Sequence, residues 1–252
     1  MKTNKKQKIM MLVAAIPLLY SIQGYAFQSQ EGIMVAINNP QTRGTNADDD
    51  FTSVDTEEIK VNDPFESFNR AMFSFNDGLY TNVMKPIAIG YRAVVPEKGR
   101  SSVKNFFTNL LAPVRIVNAA LQLKGKDATN EIVRFGVNTT IGIVGLFDVA
   151  RDDFKIKIKH EDFGQTLGHY GVGSGPYLVL PLWGPSSIRD GAGLLVDGIY
   201  LDPLAYVDET EDYLIARFID VETTISLDKD TYEAIKKDSL DPYIFIRNAY
   251  SA

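Results

Sequence analysis

From residue 65 onward the apolar side chains recur every three or four positions. Phe65, Phe68, Met72, Phe75 and Leu79 share one face of a helix, and Phe73 and Tyr80 widen that stripe. Asp63-Pro64-Phe65-Glu66 reads as the start, with Asp63 as cap, Pro64 at the first helical position and Glu66 closing a capping box. Burying five such side chains is worth on the order of 10 kcal/mol at most. The stripe must therefore be covered, and protein core or lipid tails would serve equally. Lys85-Pro86 predicts the end of this helix, because a residue before proline avoids the helical region. A short segment over residues 87–95 leads to Pro96. Two further helices are expected, over residues 101 to about 111 and 113 to about 123, with Pro113 in a first turn. Gly125-Lys126-Asp127 predicts a turn, with Asp127 capping a helix from Ala128. That helix runs into a charge-free window, residues 135–147, too short to span a bilayer and rich in glycine. Gly142 and Gly145 there let the chain bend back as a helical hairpin.

Elsewhere the pattern changes. Phe154-Lys155-Ile156-Lys157-Ile158-Lys159 alternates apolar and basic, which predicts a short edge strand guarded by its lysines. It is the one convincing strand signal. In the tail, Leu214, Phe218, Val221, Ile225, Tyr232 and Ile235 keep near-heptad spacing on one helical face, and Asp241-Pro242 opens a last short helix over residues 243–250. Residues 170–188 carry no charge and would be long enough for a membrane helix. Four glycines and three prolines forbid it. Irregular backbone of this kind at membrane depth is tolerated only when buried in protein or lining a cavity. A packed apolar loop in a globular core is the other reading of the same residues.

Organisation follows from the ends of these patterns. Lys2, Lys5, Lys6 and Lys8 precede an apolar run over residues 9–19, and Gly24-Tyr25-Ala26 supplies small residues for cleavage. The run reaches roughly 16 Å as a helix, about half a bilayer core. Residues 1–26 are therefore expected to be a signal peptide, residues 27–62 a flexible polar leader, and residues 63–252 one domain. The chain is expected to be exported.

Composition narrows the function. There is no cysteine, so stability is expected to come from packing, and no thiol is present to be acylated, ligate a metal or act as nucleophile. With only His160 and His169, a histidine-rich metal site is not expected. Removing residues 1–26 takes away four lysines and leaves 22 basic against 32 acidic side chains. That balance argues against nucleic acid and against a polybasic dock on anionic lipid. A membrane would have to be met through apolar surface.

Catalytic patterns are weak. Gly171-Val172-Gly173-Ser174-Gly175 has no following lysine, and Pro176 and Pro181 prevent a helix from opening on it, so it is not a phosphate loop. Ser174 and His169 lack a nucleophile elbow. No pair among the many carboxylates stands apart. His169 reads as a hydrogen-bonded structural histidine. No catalytic residue, cofactor or metal is expected.

Longer motifs carry more information. Asp63-Pro64-Phe65-Glu66-Ser67-Phe68-Asn69-Arg70 followed by Phe73-Ser74-Phe75-Asn76 resembles the opening of the MlaA (VacJ) family. Residues 163–173, with Gly175-Pro176-Tyr177 and Leu180-Pro181, resemble its most distinctive stretch; Arg189-Asp190, Asp197-Gly198 and Asp241-Pro242-Tyr243-Ile244 agree in order. The resemblance spans about residues 62–250. It implies a mostly α fold, a single-domain ring of amphipathic helices around a central amphipathic channel, with at most one short strand pair. It implies a non-enzymatic phospholipid channel on the periplasmic side of the outer membrane, seated in its inner leaflet. Mislocalised phospholipids would pass from the outer leaflet to a soluble periplasmic lipid carrier, in complex with a trimeric porin. By position, Phe73, Phe75, Asn76, Asn138, Gly142 and Gly145 are the gating candidates. Gly171, Gly173, Gly175, Pro176, Tyr177 and Pro181 form the cavity-lining motif. Many members carry an acyl chain on a cysteine, which this sequence lacks, so attachment is expected to come from the helices or a partner. A soluble periplasmic lipid carrier is the alternative.

Overall fold

The computed structural model describes residue 61, residues 63–228 and residues 230–251. The signal peptide and nearly all of the leader lie outside the described residues. The described chain is mostly helical, with one two-stranded sheet.

Helix α1 is Glu66–Leu79. It starts later than the capping pattern predicts, with Phe65 at the cap and no side-chain bond there. Asp63 turns to tertiary partners instead: it accepts from Asn69 Nδ2 at 2.7 Å and from the Tyr243 hydroxyl, and lies 3.4 Å from Arg247. Lys85-Pro86 does not end the helical path. A π-turn, Tyr80–Met84, follows α1 and leads into α2, Lys85–Val94, with Pro86 in its first turn. The Lys85 amide bonds five residues back to Tyr80, and Pro86, in the opening turn, lacks only an amide whose loss is tolerated there. Helices α3 (Glu97–Leu110) and α4 (Ala112–Leu121) follow. Helix α5, Gly125–Thr140, begins before Asp127, which lies in the first turn where its charge suits the dipole rather than serving as cap. The expected hairpin has only one long arm: a tight turn leads to a four-residue helix, α6, Val149–Asp152, capped by Asp148.

The strand expected over residues 154–159 does not form. This segment is extended, but side chains of α5 take its inward groups, Arg134 on Ile156 O and Glu131 on the Lys159 amide at 2.9 Å. The strands lie in the charge-free stretch after α7 (Phe163–His169): β1, Tyr177–Leu180, pairs antiparallel with β2, Gly184–Ser187, Tyr177 facing Ser187 and Leu180 facing Gly184. Neither alternates in sequence. Pairing rather than period decides them.

Helix α8, Ile188–Val196, crosses α7 closely: a Cβ on Gly193 would lie 2.3 Å from Gly164 N. The tail is two helices rather than one continuous face, α9 (Thr210–Leu227) and α10 (Thr231–Asp238). Asp230 between them takes a left-handed φ of 61°. Arg92 donates to Ser226 O and Ile225 O at 2.8 and 3.0 Å, satisfying the carbonyls at the end of α9. Helix α11, Pro242–Ser251, starts as its sequence predicts, Asp241 accepting from the Tyr243 and Ile244 amides at 3.0 and 3.2 Å.

Apolar packing is divided among three small clusters. One holds Phe107, Trp183, Leu204 and Tyr213; a second Met84, Ala88, Val221 and Ile225; a third Tyr177, Val179 and Tyr243. Between them the interior is polar. Among the described residues, buried polar and charged side chains outnumber buried apolar ones. Large apolar side chains are exposed on α1, α2, α5 and α9. No described helix is long and apolar enough to cross a membrane.

Candidate functional site

Helices α1 and α5 bury mainly polar residues and expose apolar ones, the reverse of a globular protein. On α1 the buried residues are Asn69 and Asn76, seven apart, while Phe68 and Phe75 are 49% and 52% exposed. Spacing of seven repeats a helical face, so the asparagine face looks inward and Phe68 and Phe75 outward, while Met72, Phe73, Leu79 and Tyr80 of the same stripe pack against buried residues. Each buried amide both donates and accepts. Asn69 donates to Tyr177 O at 3.1 Å and accepts from the Val179 amide at 2.8 Å. Asn76 donates to Leu180 O at 3.0 Å and accepts from the Leu182 amide at 2.6 Å. The two asparagines thus satisfy backbone groups of the hairpin that no third strand covers.

This brings part of the expected site together. Asn76 brackets Pro181, Tyr177 is buried, and Phe73 meets Tyr243 edge-on at 5.8 Å beside it. Phe75 points away. Pro176 is half-buried, and Gly171, Gly173 and Gly175 lie on an exposed loop before the hairpin. His169 ends α7 with its ring edge-on to Tyr170 at 5.2 Å.

Asn138, Gly142 and Gly145 form a second group at the end of α5. Asn138 donates to Asp148 at 2.9 Å, accepts from the Ala150 amide at 2.9 Å, and its carbonyl accepts from the Gly145 amide at 2.8 Å. Gly145 has φ +89°, and a Cβ there would sit 2.5 Å from that of Asn109. A Cβ on Gly142 would meet Phe147 O at 2.3 Å. Both positions exclude any side chain. Between them Ile143 and Val144 hold left-handed φ of 52° and 56°, which costs β-branched residues of order 1–3 kcal/mol each.

Beneath the turn lies a small polar cavity lined by Asn105, Thr108, Asn109, Arg115, Arg134, Phe135, Asn138 and Asp148. Its charges are paired: Arg134 grips both oxygens of Asp148 at 3.1 and 3.0 Å, and Arg115 bonds the fully buried Glu131 at 2.8 Å. His160 lies near this network. Although His160 keeps an exposed edge, desolvation by its surroundings first, then the charges of Arg115, Lys104 and Arg134, holds its imidazole below the usual range. A third polar knot joins α4, α7 and α8. Asp197 accepts from Asn118 Nδ2 and the Phe163 amide, both at 2.8 Å, and Thr166 donates to Asn118 at 2.9 Å. Burial raises Asp197 to about 6, those two bonds opposing the shift. In α9 the buried Arg217 pairs with Asp202.

The apolar stripes left open what covers them, so the spacing by itself did not single out Asn69, Asn118, Glu131, Arg134 and Arg217 as inward-facing. Their signal was present: Glu131, Arg134 and Asn138 recur at 3-4 spacing opposite Ile132 and Val133. Among the described residues no group of His, Asp and Glu could hold a metal ion.

Residues 61–252 match the family described as MlaA lipoprotein. The chain is 36% identical over 201 residues to the intermembrane phospholipid transport system lipoprotein MlaA of Escherichia coli, covering 77% of the chain and 78% of that protein. The protein of the same description in Haemophilus influenzae is 31% identical over 199 residues, covering 78% of the chain and 79% of that protein. An uncharacterized protein of Rickettsia prowazekii is 36% identical over 191 residues, 76% of each. Among solved structures, a chain from work on the structural basis for maintenance of bacterial outer membrane lipid asymmetry superposes with a TM-score of 0.62 at 36% identity, covering 75% of this chain and 95% of that one.

Proposed function

This chain belongs to the MlaA family, and from that membership we propose that it maintains outer-membrane lipid asymmetry as a phospholipid conduit. In this reading residues 1–26 export the chain, residues 27–62 lead to the domain, and residues 63–252 form a ring of helices on the periplasmic side of the outer membrane. Mislocalised phospholipid enters from the outer leaflet and leaves to a soluble periplasmic carrier, beside a trimeric porin. No covalent bond is made or broken, and no cofactor takes part.

The inverted helices carry the reading. Phe68, Phe75, Ile89, Ile132 and Ile215 face outward, whereas Asn69, Asn118, Glu131, Arg134 and Arg217 face inward. Apolar faces of this extent are stable when acyl chains cover them. A polar interior gives a lipid headgroup the wetter path it needs. Phe73 and Asn76 are the gating residues on α1, Phe75 acting from its outward, lipid-facing side, and Asn138, Gly142 and Gly145 are those at the turn. Gly171, Gly173, Gly175, Pro176, Tyr177 and Pro181 belong to the wall of the passage.

Deleting the protein should raise phospholipid in the outer leaflet, read by an added phospholipase that reaches only the cell surface. An unchanged outer leaflet would sink the proposal. Recovery of the protein in the soluble periplasm without detergent would favour the carrier reading instead.

A further inference from the structure

The conduit reading leaves one buried acid unused. Every other buried carboxylate among the described residues has a partner. Glu131 bonds Arg115, Asp148 bonds Arg134, Glu161 bonds Lys124, Asp197 bonds Asn118, Asp202 pairs with Arg217, and Asp220 lies 3.5 Å from Lys104. Glu222 on α9 is 4% exposed, and neither of its carboxylate oxygens meets a donor. Burial pushes it up to about 7, and no neighbouring charge contributes to that shift. A carboxylate covered in this way is costly until a cation or a donor reaches it.

Its place on the helix says what approaches it. Tyr213, Arg217 and Asp220 form the inward face of α9, none more than 1% exposed. Glu222 lies on the opposite face. Ile215, Phe218 and Ile219 stand seven, four and three residues before it, so the four side chains share one stripe. Those three are 57%, 38% and 41% exposed. Glu222 follows them about 5 Å further along the axis. There the outward stripe goes under cover: Val221 and Ile225 pack with Met84 and Ala88, and Arg92 and Arg100 donate to the Ser226 carbonyl. The apolar stripe thus ends on a covered acid rather than on a solvated charge.

We propose that Glu222 receives the primary ammonium of an ethanolamine phospholipid whose acyl chains lie along Ile215, Phe218 and Ile219. This rests on the conduit reading and adds the headgroup it admits, at the point where lipid leaves the outward belt for the covered interior. Two unpaired acceptor oxygens call for N–H donors. A primary ammonium carries three, a choline headgroup none, and a glycerol headgroup brings hydroxyls without a cation. A lysine of a partner protein would answer the acid but leave the apolar stripe uncovered, whereas a lipid meets both.

The test gives the full chain in detergent equal amounts of phosphatidylethanolamine and phosphatidylcholine with identical acyl chains, and reads the bound lipid by native mass spectrometry. Hydrogen bonds to a buried charge should favour phosphatidylethanolamine about 10-fold. Glu222→Gln, which keeps the shape and loses the charge, should bring the ratio close to one, with circular dichroism verifying the fold. Ile215→Ser combined with Ile219→Ser, both at exposed positions, should lower occupancy by the two lipids alike and keep their ratio. An even ratio in the parent overturns the proposal and leaves the acid to a partner's cation. A preference that survives Glu222→Gln overturns it as well, since another group then reads the headgroup. Undiminished occupancy in the double serine variant overturns it too, because the chains then lie elsewhere. In these three cases lipid is still bound and the conduit reading stands. If neither lipid is bound, that reading fails with it.

Discussion

Asn76 engages both ends of its amide with one hairpin turn, at Leu180 O and the Leu182 amide. Truncation to alanine would strand a carbonyl and an amide, both partly buried, at once. An unsatisfied buried group costs about 1–3 kcal/mol, so Asn76→Ala should destabilise the fold by roughly 2–4 kcal/mol, read by chemical denaturation in detergent. Asn76→Asp, which keeps the acceptor and loses the donor, should fall between the two. Equal stability of all three would mean that the hairpin does not depend on α1. The family motif marked Asn76, but its partners lie more than a hundred residues away, and local sequence holds no record of them. Asn69 plays the same part with Tyr177 O and the Val179 amide, and only the folded hairpin shows why it is an asparagine.

At the scale of elements, periodicity located most helices and could not orient them. The stripe of Phe65, Phe68, Met72, Phe75 and Leu79 was legible as one face, yet its three phenylalanines are exposed while Met72 and Leu79 pack inward. In a globular protein, replacing such residues by serine would cost several kcal/mol. Here Phe68→Ser with Phe75→Ser should leave the denaturation midpoint in detergent within about 1 kcal/mol of the parent, because little protein packing is lost. The same pair should lower partition onto phosphatidylcholine vesicles. A large loss of stability would show that the stripe is internal packing after all. Three boundaries were misread for one reason, that tertiary partners outrank local signals. Asp63 serves α11 rather than the α1 amides, Pro86 sits within a helix entered through a π-turn, and the lysine-rich segment lies against the side chains of α5 in place of a partner strand.

For the whole molecule, apolar packing split into three clusters with paired charge between them leaves a surface that water alone suits poorly. The full chain should therefore self-associate in detergent-free buffer and become monodisperse in mild detergent, which sedimentation velocity would read directly. A monodisperse monomer in plain buffer would count against the outward belt. Closure of the chain belongs to this scale too. Arg70 pairs with Asp241 at 2.9 Å and Asp63 contacts α11, so the two ends of the described fold meet.

By itself the sequence determined that most of these segments are two-faced helices, that one long charge-free stretch cannot be a helix, and, through its motifs, the family. These are properties of neighbours along the chain, set by spacing and by what proline and glycine permit. Only the tertiary structure decided which face looks inward, where the strands pair and which asparagines hold them. The physical reason is that an amphipathic period has no sign: it separates two faces, but whether the apolar one is covered by protein or left for another solvent depends on contacts made far away in the sequence.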